Sequence, residues 1–207
     1  GDSMVRPTLA LLSALLLVGG CSDGGEQPPP AATLPSEVPT SSTEPAPDPA
    51  VIPDDPAEID EQYVQAVVDE LFAVEAKAAE IFIVTRDLDE RAMAYLEAIY
   101  IGEELEQQKN VWFQDLALRA DELRPGVRRT DVQRVVDVKA DCVFLEAERD
   151  YSETTTREAP PKQIVYLGLT PKLEGDDPEG LNPTGWMLFT SGLSEDGSEP
   201  ENPCAGR

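Results

Sequence analysis

The chain has 207 residues and a formal net charge of −25, from 41 acidic and only 16 basic residues. So acidic a chain repels nucleic-acid phosphates and anionic lipid headgroups, which proteins hold with clusters of Lys and Arg, and no nucleic-acid partner is expected. It contains no histidine, which excludes a Ser-His-Asp triad, an imidazole base and His-ligated zinc.

The first apolar segment lies near the N-terminus and predicts export. Residues 9–18 are apolar but too few to span a membrane, which takes about 20 helical residues. A positive charge before them and small residues after them are typical of a signal peptide over residues 1–20, of which 1–3 are interpreted as a vector-derived extension. The sequence VGGC at 18–21 resembles the lipobox of bacterial lipoproteins, which implies that Cys21 is lipidated. The alternative is an ordinary secretory signal with an incidental cysteine.

Residues 21–56 are predicted to be the lipidated cysteine followed by a disordered tether. Ten prolines and no Lys or Arg occur in residues 22–56, and bulky apolar residues are scarce. Such a segment cannot form a core that offsets the entropy of ordering the chain. We therefore expect the lipid to be the protein's attachment to the extracytoplasmic face of the cell membrane.

Three helices are predicted at the start of a single domain over residues 57–207. Asp55 suits the N-cap of the first helix, because Pro56 follows at the position where helices tolerate proline. A second helix is predicted to start near Asp89, and a third lies in the run 103–123. Apolar residues of the first helix recur at steps of three and four, which is typical of a helix facing a core. They are Val64, Val67, Val68, Leu71, Val74, Ala78 and Phe82.

The periodicity then changes to two, which predicts strands. Residues 131–151 contain two stretches of alternating apolar and polar residues, joined by a turn at 139–141. In the first stretch the apolar positions are Val132, Val136 and Val138. Residues 162–173 and 185–193 predict two more strands. Helices followed by an antiparallel sheet of about four strands predict an α+β fold, in which the helices pack on one face of a curved, cone-like sheet.

The cysteines predict one disulfide. If Cys21 carries lipid, Cys142 and Cys204 remain as a pair in an oxidising compartment. Their bond would close a loop of about 60 residues, worth about 4 kcal/mol by the chain-entropy account. The alternative is two free thiols.

Three sequence segments suggest a relative. DCVFLEAERDYS at 141–152, NPTGWMLFTSGL at 182–193 and the late NPC at 202–204, together with the order of elements, resemble actinobacterial lipoproteins of unassigned function. Those proteins are similar to the cone-shaped fold of nuclear transport factor 2 and of SnoaL-type proteins. The resemblance implies a curved sheet wrapped by helices around a pocket. This fold serves cyclases, isomerases, carriers and binding modules, so it selects no function.

Aromatic residues are candidates for the lining of such a pocket. Five of them could line a cavity between the helices and the sheet and hold a small apolar ligand. They are Trp112, Phe144, Tyr166, Trp186 and Phe189. The alternative is that these residues simply pack in the core.

Carboxylates are the remaining candidates for chemistry. Asp150 and Tyr151 could share a proton, and Asp150 could act as a general base if burial raised its pKa. The acidic loop 174–179 does not match the spacing of a calcium loop and is interpreted as a turn with solvated carboxylates, so no metal is expected. The phosphate-binding motifs G-x-x-x-x-G-K-[ST] and G-x-G-x-x-G do not occur in the chain, and no cofactor is expected.

The first functional hypothesis is a lipid-anchored binding domain at the bacterial cell envelope, for a small ligand or an envelope protein. The second is a SnoaL-like enzyme that moves a proton with a carboxylate and Tyr151, for which Asp150 is the first candidate. A carboxylate that faces an apolar cavity would favour the enzyme, whereas a cavity filled by side chains would leave only a partner-binding or structural module.

Overall fold

A computed structural model describes four stretches of the chain, 46–116, 120–156, 162–193 and 198–206. The predicted signal peptide over 1–20, the predicted lipidation site Cys21 and most of the predicted tether lie outside the described residues. Within the described stretches, no helix combines the length and the apolar character that crossing a membrane requires.

Three α-helices occur in the described residues. They are α1 (Glu61–Thr85), α2 (Glu90–Ile99) and α3 (Gly102–Asn110). The predicted start of α1 is wrong by several residues, because Asp55 caps only the single 3₁₀ turn Pro56–Glu58. The helix begins after Asp60, whose carboxylate accepts the backbone N–H of Tyr63 at 2.8 Å. Asp89 caps α2, which confirms the predicted start of the second helix.

Four antiparallel strands follow the helices and pair in chain order. They are β1 (Arg129–Lys139), β2 (Cys142–Asp150), β3 (Gln163–Pro171) and β4 (Trp186–Leu193). The helices and this open sheet share one large buried cluster, to which α1 contributes residues along most of its length. The predicted α+β class, with N-terminal helices packed on an antiparallel sheet of four strands, is confirmed.

The alternation predicted for β1 is wrong at one position. Two bulges interrupt its pairing with β2, so the side chains change faces along the strand. Val132, Val135 and Val138 pack against the helix side, whereas Val136 packs on the opposite face of the sheet. A strict period of two cannot reveal a bulge, since the inserted residue shifts every later side chain by one position.

The second face of the sheet carries a smaller buried cluster and the predicted disulfide. Cys142 at the start of β2 bonds to Cys204 in the C-terminal tail, with a sequence separation of 62, so the predicted pairing is confirmed. The rings of Phe144 and Tyr166 stack beside it with centroids 5.7 Å apart. The tail is thereby held against the side of the sheet that the helices leave uncovered.

Polar side chains from two helices bind the outer strands of the sheet. The amide of Gln65 in α1 accepts the backbone N–H of Val132 at 2.7 Å and donates to the carbonyl of Thr130 at 2.9 Å. On the other edge, the buried Glu104 of α3 accepts both the N–H and the hydroxyl of Ser191. Backbone groups that would otherwise be open for pairing with another strand are therefore satisfied within the domain.

The last residues of the predicted tether also contact the domain. The backbone carbonyl of Pro49 accepts the N–H of Gly185, and that of Val51 accepts the hydroxyl of Tyr63. Ile52 packs against the main core. The ordered unit therefore includes residues before position 57, where the sequence predicted that the domain begins.

The loop between β3 and β4 is held by a buried carboxylate. Asp177 accepts the backbone N–H groups of Leu181 and Asn182 and pairs with Lys172. Its side chain is only 3 % exposed, so the interpretation of this loop as a turn of solvated carboxylates is wrong for this residue. Burial acts to raise the pKa of Asp177, but the hydrogen bonds and the lysine outweigh it and hold the pKa below its usual value.

We expect Asp177→Asn to lower the free energy of unfolding at pH 7 by about 1–3 kcal/mol, because charge-assisted hydrogen bonds are lost. The lowered pKa means that the contribution of the carboxylate is present above the unfolded value of about 3.9 and disappears as the pH falls through the folded value. Urea unfolding between pH 3 and pH 7 measures both effects. Glu179→Gln, at an exposed residue of the same loop, is the control; equal losses in the two variants would contradict the assignment.

Candidate functional site

A buried carboxylate lies on the core side of α1. Glu75 is 3 % exposed, and its Oε1 accepts the hydroxyl of Tyr100, which follows α2, at 2.8 Å. Its Oε2 forms an ion pair with the guanidinium of Arg128, which directly precedes β1. Both oxygens are therefore bound, each by a residue from a different part of the fold.

The electrostatics of this cluster keep Tyr100 protonated and Arg128 charged. Burial, with the nearby Glu75 carboxylate, raises the pKa of Tyr100 well above its usual value, so the phenol stays protonated and donates. Burial alone would lower the pKa of Arg128, but the Glu75 charge outweighs it and the pKa is raised. A carboxylate already held by a hydroxyl and a guanidinium is poorly placed to take a proton from a ligand. The ion pair instead holds Arg128 in place.

A cavity of about 230 Å³ opens beside this cluster, between α1, the residues after α3, and the segments that precede β1 and follow β2. Its walls are mainly apolar. They are formed by Phe72, Ala76, Ala79, Ile83, Trp112 and Leu123. Glu75, Arg124, Arg128 and Tyr151 place polar groups on the same lining. A mostly apolar concave site with a few polar groups is the usual form of a small-molecule site.

Two short connections shape the rim of the cavity. The backbone N–H of Arg124 donates to the carbonyl of Thr154 at 2.9 Å, and that of Thr156 donates to Glu122 at 2.7 Å. The segment before β1 is thus paired with the segment after β2. This pairing holds Arg124 and Tyr151 on the same side of the opening, where both line the cavity.

Aromatic rings and guanidinium groups stack at the cavity. The guanidinium of Arg128 lies over the rings of Phe72 and Tyr151, at 5.5 and 5.7 Å from their centroids. Arg149 of β2 lies over Phe72 as well, at 4.8 Å. Trp112 meets Phe82 edge to face with centroids 5.3 Å apart. These contacts fix the rings without filling the space between them.

The structure separates the five aromatic residues that the sequence grouped around one pocket. Trp112 lines the cavity, whereas Trp186 is fully buried in the main core, where its indole N–H donates to the hydroxyl of Tyr63. The remaining three lie on the opposite face of the sheet, beside the disulfide. They are Phe144, Tyr166 and Phe189. The physical reason is the alternation of side chains along β2, β3 and β4, which sends neighbouring residues to opposite faces.

Asp150 and Tyr151 also lie in different surroundings. Tyr151 lines the cavity, but Asp150 does not, and its Oδ1 accepts the backbone N–H of Ser152 at 2.8 Å. That hydrogen bond lowers the pKa of Asp150, which is the opposite direction from the one a general base at neutral pH needs. The carboxylate at the cavity is Glu75.

Sequence reasoning missed Glu75 and Arg149, although both carry a periodic signal. Glu75 lies four residues after Leu71 and three before Ala78, so it shares the apolar face of α1. Arg149 continues the alternating set of β2 that faces the helices and includes Ala147. A charged residue at a core position of such a pattern is a signal for a buried polar cluster.

We expect Glu75→Gln to lower the free energy of unfolding by about 3–5 kcal/mol, because it leaves the largely buried Arg128 charge without its partner. Glu80→Gln removes the same charge from an exposed position of α1 and should change the free energy of unfolding by less than about 0.5 kcal/mol. Urea unfolding at pH 7 compares the two. A loss in Glu75→Gln no larger than that of the control would show that the cluster does not stabilise the fold.

Comparisons with protein-family models, curated proteins and solved structures find no match for this chain. The likeness to nuclear transport factor 2 and SnoaL-type proteins therefore stays a prediction from the sequence. Evidence on function comes from the residues of the cavity and from the N-terminal sequence.

Proposed function

We propose that this protein is a lipid-anchored extracytoplasmic binding protein whose domain holds a small, largely apolar ligand in the cavity beside Glu75. The observation that carries the proposal is the cavity itself, of about 230 Å³ with aromatic and aliphatic walls. Sites for drug-sized ligands enclose about 300–1,000 Å³, so a smaller ligand suits this one.

Rigid walls support a binding role. The polar groups next to the cavity are tied to one another, as in the Glu75–Arg128 ion pair and the hydrogen bond from Tyr100. A site whose side chains are fixed before the ligand arrives loses less entropy on binding. Trp112 is held by its contact with Phe82 and offers a flat apolar surface.

The anchor and the location rest on the sequence. The short apolar segment 9–18 and the VGGC that follows it are typical of an exported, lipidated chain. The disulfide between Cys142 and Cys204 agrees with an oxidising compartment, where such bonds persist. Both observations support the proposal that the binding domain lies outside the cytoplasm.

The alternative of a proton-transfer enzyme has weaker support. Its first candidate base was Asp150 beside Tyr151, but the Asp150 carboxylate accepts a backbone N–H and does not line the cavity. Glu75 does line it, but both of its oxygens are already bound. A binding role requires no change in these contacts.

An uncharged fluorescent probe tests the binding role. We expect N-phenyl-1-naphthylamine to gain fluorescence when added to the full chain carrying Cys21→Ala, because the apolar walls exclude water from the dye. Ala79 lines the cavity, so Ala79→Phe should fill it and weaken the binding of the probe at least about tenfold.

Val84→Phe is the matched control for this experiment. It also adds an aromatic ring to α1, but at a position that is 82 % exposed. The control should bind the probe as the parent chain does. If the parent chain gives no fluorescence gain, or if Ala79→Phe retains the full gain, the cavity is not a ligand site.

The anchor has a separate test. We expect Cys21→Ala to move the protein from the membrane fraction to the soluble fraction when it is expressed in a bacterium that lipidates exported proteins. A single acyl chain gives weak attachment, so the fully lipidated parent should stay with the membrane through washing. Cys142→Ala, which keeps Cys21, is the control. Retention of Cys21→Ala in the membrane fraction would refute the lipid anchor.

A further inference from the structure

Positive charge exceeds negative charge at the cavity, although the chain as a whole is strongly acidic. Two arginines line it, Arg124 and Arg128, and Glu75 is the sole acidic residue among its described lining residues. A third arginine, Arg149, stacks on the cavity residue Phe72. The lining and its neighbour Arg149 therefore carry three guanidinium groups and one carboxylate, in a chain with a net charge of −25.

Arg149 is a buried cation that lacks a counter-ion among the described residues. Arg149 is only 7 % exposed, and its Nε has no hydrogen-bond partner in the part of the chain that the structure describes. It lies near the Glu75–Tyr100 pair, since its charge acts to lower the pKa of Tyr100 against the larger effect of burial. A buried charge without a partner is costly, and the ring of Phe72 offsets only part of that cost.

Arginines away from the cavity differ because they have carboxylate partners. Four exposed arginines each pair with a carboxylate of the described residues. They are Arg86, Arg91, Arg129 and Arg134. Arg124 is exposed as well, yet it forms no such pair within the described stretches, although the chain has 41 acidic residues to offer. Among the described residues, the arginines without a carboxylate partner are therefore Arg124, which lines the cavity, and Arg149, which contacts the lining residue Phe72.

We propose, on the basis of the ligand-binding role above, that the ligand is an amphiphile whose oxyanion head group binds at Arg124, Arg128 and Arg149. Its apolar body lies against Phe72 and Trp112. A guanidinium binds the paired oxygens of a carboxylate or a phosphate with two parallel hydrogen bonds, and both heads share that chemistry. The anion supplies the counter-charge that the described residues lack.

Four probes test the head group on the full chain carrying Cys21→Ala, by calorimetric titration at pH 7. Decanoate and decyl phosphate carry the two oxyanions, decanol has the same chain without a charge, and inorganic phosphate has the charge without a chain. We expect both amphiphilic anions to bind at least about tenfold more tightly than decanol, and inorganic phosphate to bind far more weakly than decyl phosphate. The ratio of the affinities for decanoate and for decyl phosphate identifies the preferred head group.

Two substitutions locate the head group. Arg124→Gln and Arg149→Met should each weaken the binding of decanoate at least about tenfold while leaving the affinity for decanol unchanged. Arg129→Gln removes the same charge from a neighbouring, exposed position of β1 and should leave both affinities unchanged. Without ligand, Arg149→Met should melt at the same temperature as the parent or higher, because it replaces an unpaired buried cation with an apolar side chain.

The outcomes distinguish this inference from the proposed function. If N-phenyl-1-naphthylamine and decanol bind but the two anions bind no more tightly, the cavity is a ligand site and the anionic head group is wrong. If Arg124→Gln and Arg149→Met bind decanoate as the parent does, the assignment of the arginines is wrong. If no probe binds, the proposed function and this inference both fail.

Discussion

The burial of one carboxylate governs how this domain is assembled. Glu75 extends from α1 into the core, where the hydroxyl of Tyr100 and the guanidinium of Arg128 satisfy its two oxygens. Because an unpaired charge in this position would be costly, the end of α2 and the start of β1 must both approach α1 closely. The same contact holds Arg128 over Phe72 and so forms one wall of the cavity. The packing of these elements and the wall of the cavity thus both depend on a single ionic cluster.

Polar side chains on the helices also define the limits of the sheet. Gln65 binds the backbone of β1, and Glu104 binds the backbone of β4, so each outer strand is satisfied by a helix rather than by another strand. Such contacts are specific in direction and distance, whereas apolar packing tolerates some sliding. They therefore help to fix the position of the helices along the strands, in addition to satisfying the edges.

The order of elements, the fold class and the disulfide could be predicted from the sequence because they depend on periodicity and on pairs of cysteines. The faces of the strands could not, since residues 142–145 are all buried and an unbroken apolar run does not show which side meets the helices. This is why Phe144 was assigned to the wrong face. Two residues of the cavity lining, Trp112 and Tyr151, were candidates from the sequence. The charged residues at core positions, Glu75 and Arg149, were missed, because the residues they contact come from segments far apart in the chain.

The disulfide has a consequence for how the chain responds to proteolysis. Between Cys142 and Cys204 lie β2, β3, β4 and the loops between them. A protease that cut once in this stretch, for example in the loop 172–185, would produce two fragments that remain covalently joined. They would also remain paired in the sheet, so the buried Trp186 would keep its place in the core. One cut would leave the intact mass almost unchanged, and the two pieces would separate only after reduction and unfolding.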